Sequence, residues 1–180
     1  MKPPIAVLLF LAFAIFAPSC QQQPGALTES QKAAIADSAK AVVQAIFSYS
    51  DKLDFNASFQ LYSGDPDARF IENGVLFPSL DAMKKAYAEL GTILESVNNS
   101  IDRWDIMVIA ADAVAFTSPI HFSIKAKGRP EYHGEYVWSG IVQRRSGSWK
   151  LVQSHKSWFN AEQVIAAITP LPTKQQRAKK

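Results

Sequence analysis

Covalent cross-links are almost absent from this chain. Of its 180 residues only Cys20 is a cysteine, so no intrachain disulfide braces the fold. Histidine is scarce too. His121, His133 and His155 stand far apart and lack the close paired spacing of a zinc motif, so no metal site and no cofactor are expected. No serine sits in a Gly-x-Ser-x-Gly elbow, which removes the best-marked route to a serine nucleophile. The apolar run from Ile5 to Phe16 is 12 residues long, well short of the about 20 that span a bilayer, and fits a secretory signal. A strong charge of one sign is missing as well. The chain carries +3, but Lys2, Lys174, Arg177, Lys179 and Lys180 lie at its ends; without them the globular part is at −2. Nothing in that part suggests a nucleic-acid surface, and none is expected as a partner.

The ends carry information of their own. Lys2, the apolar run and the small residues of "APSC" lead to Cys20 where a cleavage site belongs. This segment resembles the lipobox of bacterial lipoproteins. The resemblance implies removal of residues 1–19, lipidation of Cys20 and attachment to a membrane. Gln21 in place of aspartate implies an outer-membrane lipoprotein of the bacterial envelope, facing the periplasm. Residues 20–27 then form the lipidated cysteine and a polar tether, 28–159 one domain, and 160–180 a C-terminal helix and basic tail.

The domain is long enough for a real core. Thr28 with Gln31 forms a capping box, and Ile35, Ala39, Val42, Val43, Ile46 and Phe47 recur on one helical face. A short helix starts at Asp54 and carries Phe55, Phe59 and Tyr62. In "RFIENGVLF", Asn-Gly predicts a hairpin that pairs Glu72 with Val75 and Phe70 with Phe77. Ser79 caps a third helix, expected to end at Gly91. Long antiparallel strands follow in "DRWDIMVIA", "AVAFTSPIHFSIKA", "EYHGEYVWSGIVQRR" and "SWKLVQSHKSW", with Gly134 and Gly140 marking bends. A last helix opens at Asn160. The expected class is α+β, with a cone-shaped, strongly bent antiparallel sheet wrapped around the N-terminal helices.

Two stretches, "GDPDARFIENG" and "WSGIVQRRSGSWKLVQSHKSW", resemble the SnoaL-like branch of the nuclear transport factor 2-like superfamily. That resemblance covers roughly residues 28–159 and implies a conical cavity and a homodimer. It also implies a fold shared by binders and by isomerases, cyclases, dehydratases and hydrolases, so function rests on the site.

Strict alternation along residues 147–158 puts Trp149, Leu151, Gln153, His155 and Ser157 on one face. Trp149 and Leu151 are then expected deep, with His155 and Ser157 nearer a pocket. His155 is the candidate acid or base, since imidazole titrates near neutral pH. Tyr62, Trp104 and Trp138 have polar-tipped rings suited to a pocket rim; they join His121, His155 and Ser157 as candidate ligand-binding residues. Two readings stay open. One is a lipid-anchored domain whose cavity binds a small hydrophobic molecule; the other is a SnoaL-like isomerase, cyclase or hydrolase that uses His155.

Overall fold

The computed structural model describes residues 26–169. Cys20, the lipobox and the basic tail lie outside them. Among the described residues, no helix is long and apolar enough to cross a membrane.

The order is α1 (Glu29–Ser50), α2 (Phe55–Phe59), β1 (Arg69–Glu72), β2 (Val75–Phe77), α3 (Leu80–Ile93), β3 (Leu94–Ile101), β4 (Asp105–Ala110), β5 (Ala113–Ala126), β6 (Tyr132–Arg145), β7 (Ser148–Trp158) and α4 (Ala161–Ile168). Both halves of the Thr28/Gln31 capping box are formed, so two N–H groups that α1 leaves unpaired find acceptors. Asp54 and Ser79 accept from Ala57 and Ala82 and start α2 and α3. Asn160 precedes α4 without a side-chain cap bond. Gly91 does not end α3, which runs on to Ile93. A Cβ at Gly91 would rest 3.4 Å from the Phe55 ring, so the glycine is a packing residue there.

The seven strands form one strongly curved, unclosed sheet in the order β2-β1-β7-β6-β5-β3, with β4 also paired to β5. The Asn73-Gly74 hairpin has the register read from the sequence, Phe70 opposite Phe77 and Glu72 opposite Val75. The sheet is mixed rather than antiparallel throughout, because β1 runs parallel to β7 and sets Glu72 beside Lys156. Parallel neighbours need a long crossover, and that crossover is everything between the hairpin and β7.

Strand β7 departs from strict alternation. Its partner register jumps between Ile141 and Val142, which face Gln153 and Leu151, so Val152 is an extra residue in β7. Such a bulge reverses which side chains point inward beyond it. Leu151 is fully buried before the bulge. After it, Ser154, Lys156 and Trp158 point inward, whereas Gln153, His155 and Ser157 are exposed. Beside the bulge, Gly140 leaves room for backbone: a Cβ there would stand 2.6 Å from the Gln153 carbonyl oxygen.

Helix α1 lays Ala39, Val42, Val43, Ile46 and Phe47 into the hollow of the sheet. They meet Phe116, Ile120, Trp138, Val142 and Leu151 in one core. The Phe47 and Trp138 rings lie 5.1 Å apart, tilted by 40°, and Phe116 meets Trp138 edge-on at 5.3 Å.

Candidate functional site

The hollow is not completely filled. Between α1, α2, α3 and the inner face of the sheet lies a cavity of ≈ 110 Å³. Its walls are chiefly aromatic and aliphatic, with Phe47, Phe55, Phe59, Phe122, Trp138 and Trp158 among them. Tyr62, Tyr87, Tyr136, Glu72, Lys156 and Asn99, with Ser50 and Ser58, bring the polar side chains.

Glu72 and Lys156 are delivered by the parallel pairing of β1 with β7. Lys156 Nζ donates to Glu72 Oε1 at 2.8 Å and to the Tyr87 hydroxyl oxygen at 2.6 Å. The Tyr87 hydroxyl in turn donates to Glu72 Oε1 at 2.5 Å. The triangle ties β1, α3 and β7 together. It is largely shielded from water, with the Lys156 and Glu72 side chains 17% and 15% exposed. The ammonium also lies 5.4, 5.7 and 6.0 Å from the ring centres of Tyr87, Tyr136 and Trp158, within cation–π range.

The electrostatics follow from this packing. Burial opposes the charge on Lys156, but the Glu72 carboxylate and its hydrogen bond outweigh it, so its pKa stands above the ordinary lysine value. Lys156 is a fixed cation rather than a ready base. Burial, reinforced by the Glu72 charge, holds the Tyr87 hydroxyl well above the usual phenol range. Burial also raises Tyr62 and Tyr136, against the pull of Lys156. All three tyrosines are therefore neutral hydroxyls near pH 7.

A second polar chain reaches the cavity from α1. Asp51 Oδ1 accepts from Asn99 Nδ2 at 2.7 Å, and Asn99 Oδ1 accepts from the Tyr136 hydroxyl at 2.8 Å. Burial raises the Asp51 carboxyl above its ordinary range, although the bonds from Asn99 pull the other way.

Two of the residues singled out from the sequence, Tyr62 and Trp138, line this cavity. Trp104 packs on Phe116, 6.4 Å between ring centres, and borders a separate open depression with Ile106 and Met107. His121 is exposed on the outer face of the sheet, where Nδ1 lies 3.3 Å from Glu135 Oε1. His155 and Ser157 are exposed on that face too, because the bulge at Val152 turns them outward. The structure thus brings Tyr62 and Trp138 together and leaves Trp104, His121, His155 and Ser157 outside the cavity. Among the described residues, no group of three or more His, Cys, Asp or Glu is placed to hold a metal.

Sequence reasoning passed over Glu72, Tyr87 and Lys156. Glu72 read only as a hairpin residue, and Tyr87 lay in the third helix with no role assigned. Lys156 fell on the face taken to be outward. The one available signal was the alternation of Ser154, Lys156 and Trp158, which acquires meaning only when the bulge is known.

No curated protein matches the chain significantly. Solved structures do. A nuclear transport factor 2-like superfamily protein from Salmonella enterica serovar Typhimurium superposes with a TM-score of 0.64 at 17% identity, over 71% of this chain and 92% of that one. A candidate scytalone dehydratase from Novosphingobium aromaticivorans gives 0.67 at 14% identity, over 73% and 88%. A type 3 hexachlorocyclohexane dehydrochlorinase from Novosphingobium barchaimii gives 0.63 at 12% identity, over 73% and 91%. At such identities these likenesses speak for the fold. A family model for the SnoaL-like domain matches residues 39–162. With that match across most of its length, the chain belongs to the SnoaL-like domain family.

Proposed function

We propose that this is a lipid-anchored protein of the bacterial envelope whose domain binds a small, mostly apolar molecule in the cavity between α1, α2, α3 and the sheet. The observation that carries the binding reading is the cavity itself. Aromatic walls enclose ≈ 110 Å³, and a few polar groups converge on it, among them Lys156, Glu72 and Tyr62. An apolar enclosure with a small polar set is the ordinary make-up of a small-molecule site. The anchoring reading rests on the lipobox-like segment ending at Cys20 and on the tether behind it. An outer-membrane position facing the periplasm and a homodimer belong to the same proposal.

One further observation favours a catalytic variant of this reading. Glu72, Tyr87 and Lys156 are mutually bonded within 2.8 Å at the cavity wall, a grouping that sets a carboxylate base beside a fixed cation able to stabilise developing negative charge. An isomerase or dehydratase built on this chain would use Glu72 and Lys156, since His155 points away from the cavity.

Mass spectrometry of the protein taken from its native membrane tests both parts. The expected result is a denatured chain beginning at an acylated Cys20 and, under native conditions, a retained small molecule. An unmodified cysteine would overturn the anchor. An empty cavity, together with no quenching of tryptophan fluorescence by one-ring compounds, would overturn the binding reading.

A further inference from the structure

The charges in the cavity wall go beyond saying that something binds: they state what kind of end group the ligand carries. Apart from the neutral tyrosines, the ionisable lining groups are one acid, Glu72, and one ammonium, Lys156, 2.8 Å apart. Their charges cancel at any point that touches both. A second anion placed against Lys156 Nζ would also lie against Glu72, so the attraction of one is offset by the repulsion of the other. A second cation meets the reverse arrangement with the same result.

Hydrogen-bond capacity is left over all the same. An ammonium has three donors. Lys156 spends two, on Glu72 and Tyr87, and the third has no acceptor among the described residues. The Tyr87 hydroxyl is committed to Glu72. The Tyr62 hydroxyl has no hydrogen-bond partner among the described residues, and Tyr62 lines the same cavity as Lys156 and Glu72. The polar end of the site therefore offers N–H and O–H donors without offering net positive charge.

Size limits the rest of the molecule. An apolar cavity of about 150 Å³ takes up benzene, so ≈ 110 Å³ accepts at most one small ring. Its substituent would meet Lys156 and Glu72, which retain some exposure at 17% and 15%.

We propose that the cavity selects an uncharged one-ring compound bearing a carbonyl-type acceptor, which Lys156 and Tyr62 receive, and that Glu72 is the charge filter that rejects the corresponding carboxylate. This rests on the binding reading above. Benzamide and benzoate are isosteric and differ in charge, and toluene lacks the acceptor. Calorimetric titration of the full-length protein in detergent, against matched blank micelles, should show benzamide bound at least about tenfold more tightly than benzoate or toluene. Glu72→Gln uncovers the Lys156 charge and should shift the benzoate-to-benzamide ratio toward benzoate by about tenfold or more. The uncharged double variant Glu72→Gln/Lys156→Met covers the case in which the single variant fails to fold. It should still bind toluene and lose the preference for benzamide. Benzoate bound as well as benzamide by the unaltered protein would overturn the inference and leave the binding reading standing. An unchanged ratio in Glu72→Gln, or a kept amide preference in the double variant, would also overturn it. No binding by any of the three compounds would overturn this inference, and together with an empty cavity in the native mass spectra it would overturn the binding reading as well.

Discussion

Replacing Lys156 with methionine isolates the energetic role of the triangle. The change preserves most of the side-chain bulk and removes the ammonium, leaving the Glu72 carboxylate 15% exposed with only the Tyr87 hydroxyl to bond it. Removing one partner of a buried ion pair costs about 3–5 kcal/mol, because a desolvated charge is left uncompensated. The residual exposure of both side chains points to the lower end, about 3 kcal/mol. For a domain of this size each kcal/mol lowers Tm by about 2–4 °C, so Lys156→Met should melt about 6–12 °C below the unaltered protein. The double variant Glu72→Gln/Lys156→Met carries no orphaned charge and should recover most of that loss. Circular dichroism melts of the three proteins at pH 7 decide it. A drop of less than about 2 °C for the single variant would refute the account. So would a double variant no more stable than the single one, since the pair would then be a surface contact in energetic terms.

Further outcomes follow from the same geometry. Lys156, Tyr62, Tyr87 and Tyr136 all have folded-state pKa values raised above their ordinary ones. A raised value gives stability that is fully present below the unfolded-state pKa, about 10 for both residue types, and is lost as pH rises through the folded one. Urea melts should therefore show a flat plateau from neutral pH to about 9 and a steep fall above about 10; a fall beginning near pH 8 would contradict the assignment. His155→Ala should change stability by no more than about 0.5 kcal/mol and leave ligand binding intact, since the imidazole is exposed on the outer face. Gly140→Ala should cost about 1–3 kcal/mol in chemical denaturation, because the new Cβ would stand 2.6 Å from the backbone carbonyl of Gln153. A neutral result would mean that the bulged strand can shift.

How far the sequence carried is seen in particular elements. Local devices were legible: the Thr28/Gln31 box, the Asp54 and Ser79 caps and the Asn73-Gly74 register each depend on a few adjacent residues. Gly91 was misread as a helix end because its use, close approach to Phe55, is a tertiary fact. Strand β3 was not anticipated either; "LESVNNSI" has little apolar alternation, and its place is set by pairing with β5. The site was harder still. Glu72 meets Lys156 only through a parallel pairing across more than eighty residues of chain, and Tyr87 joins them from a helix. The extra residue at Val152 then exchanged the two faces of β7 over its last turn of alternation. No local pattern announces a bulge of that kind, yet it sends Lys156 into the cavity and His155 out to solvent.

Heteronuclear NMR of the full-length protein titrated with benzamide would locate the bound ring on the fold. Shift changes should concentrate on Tyr62, Tyr87, Tyr136, Lys156 and Trp158, the polar rim and walls of the cavity. Changes centred on His155, Ser157 and His121 would place binding on the outer face of the sheet and contradict the cavity site.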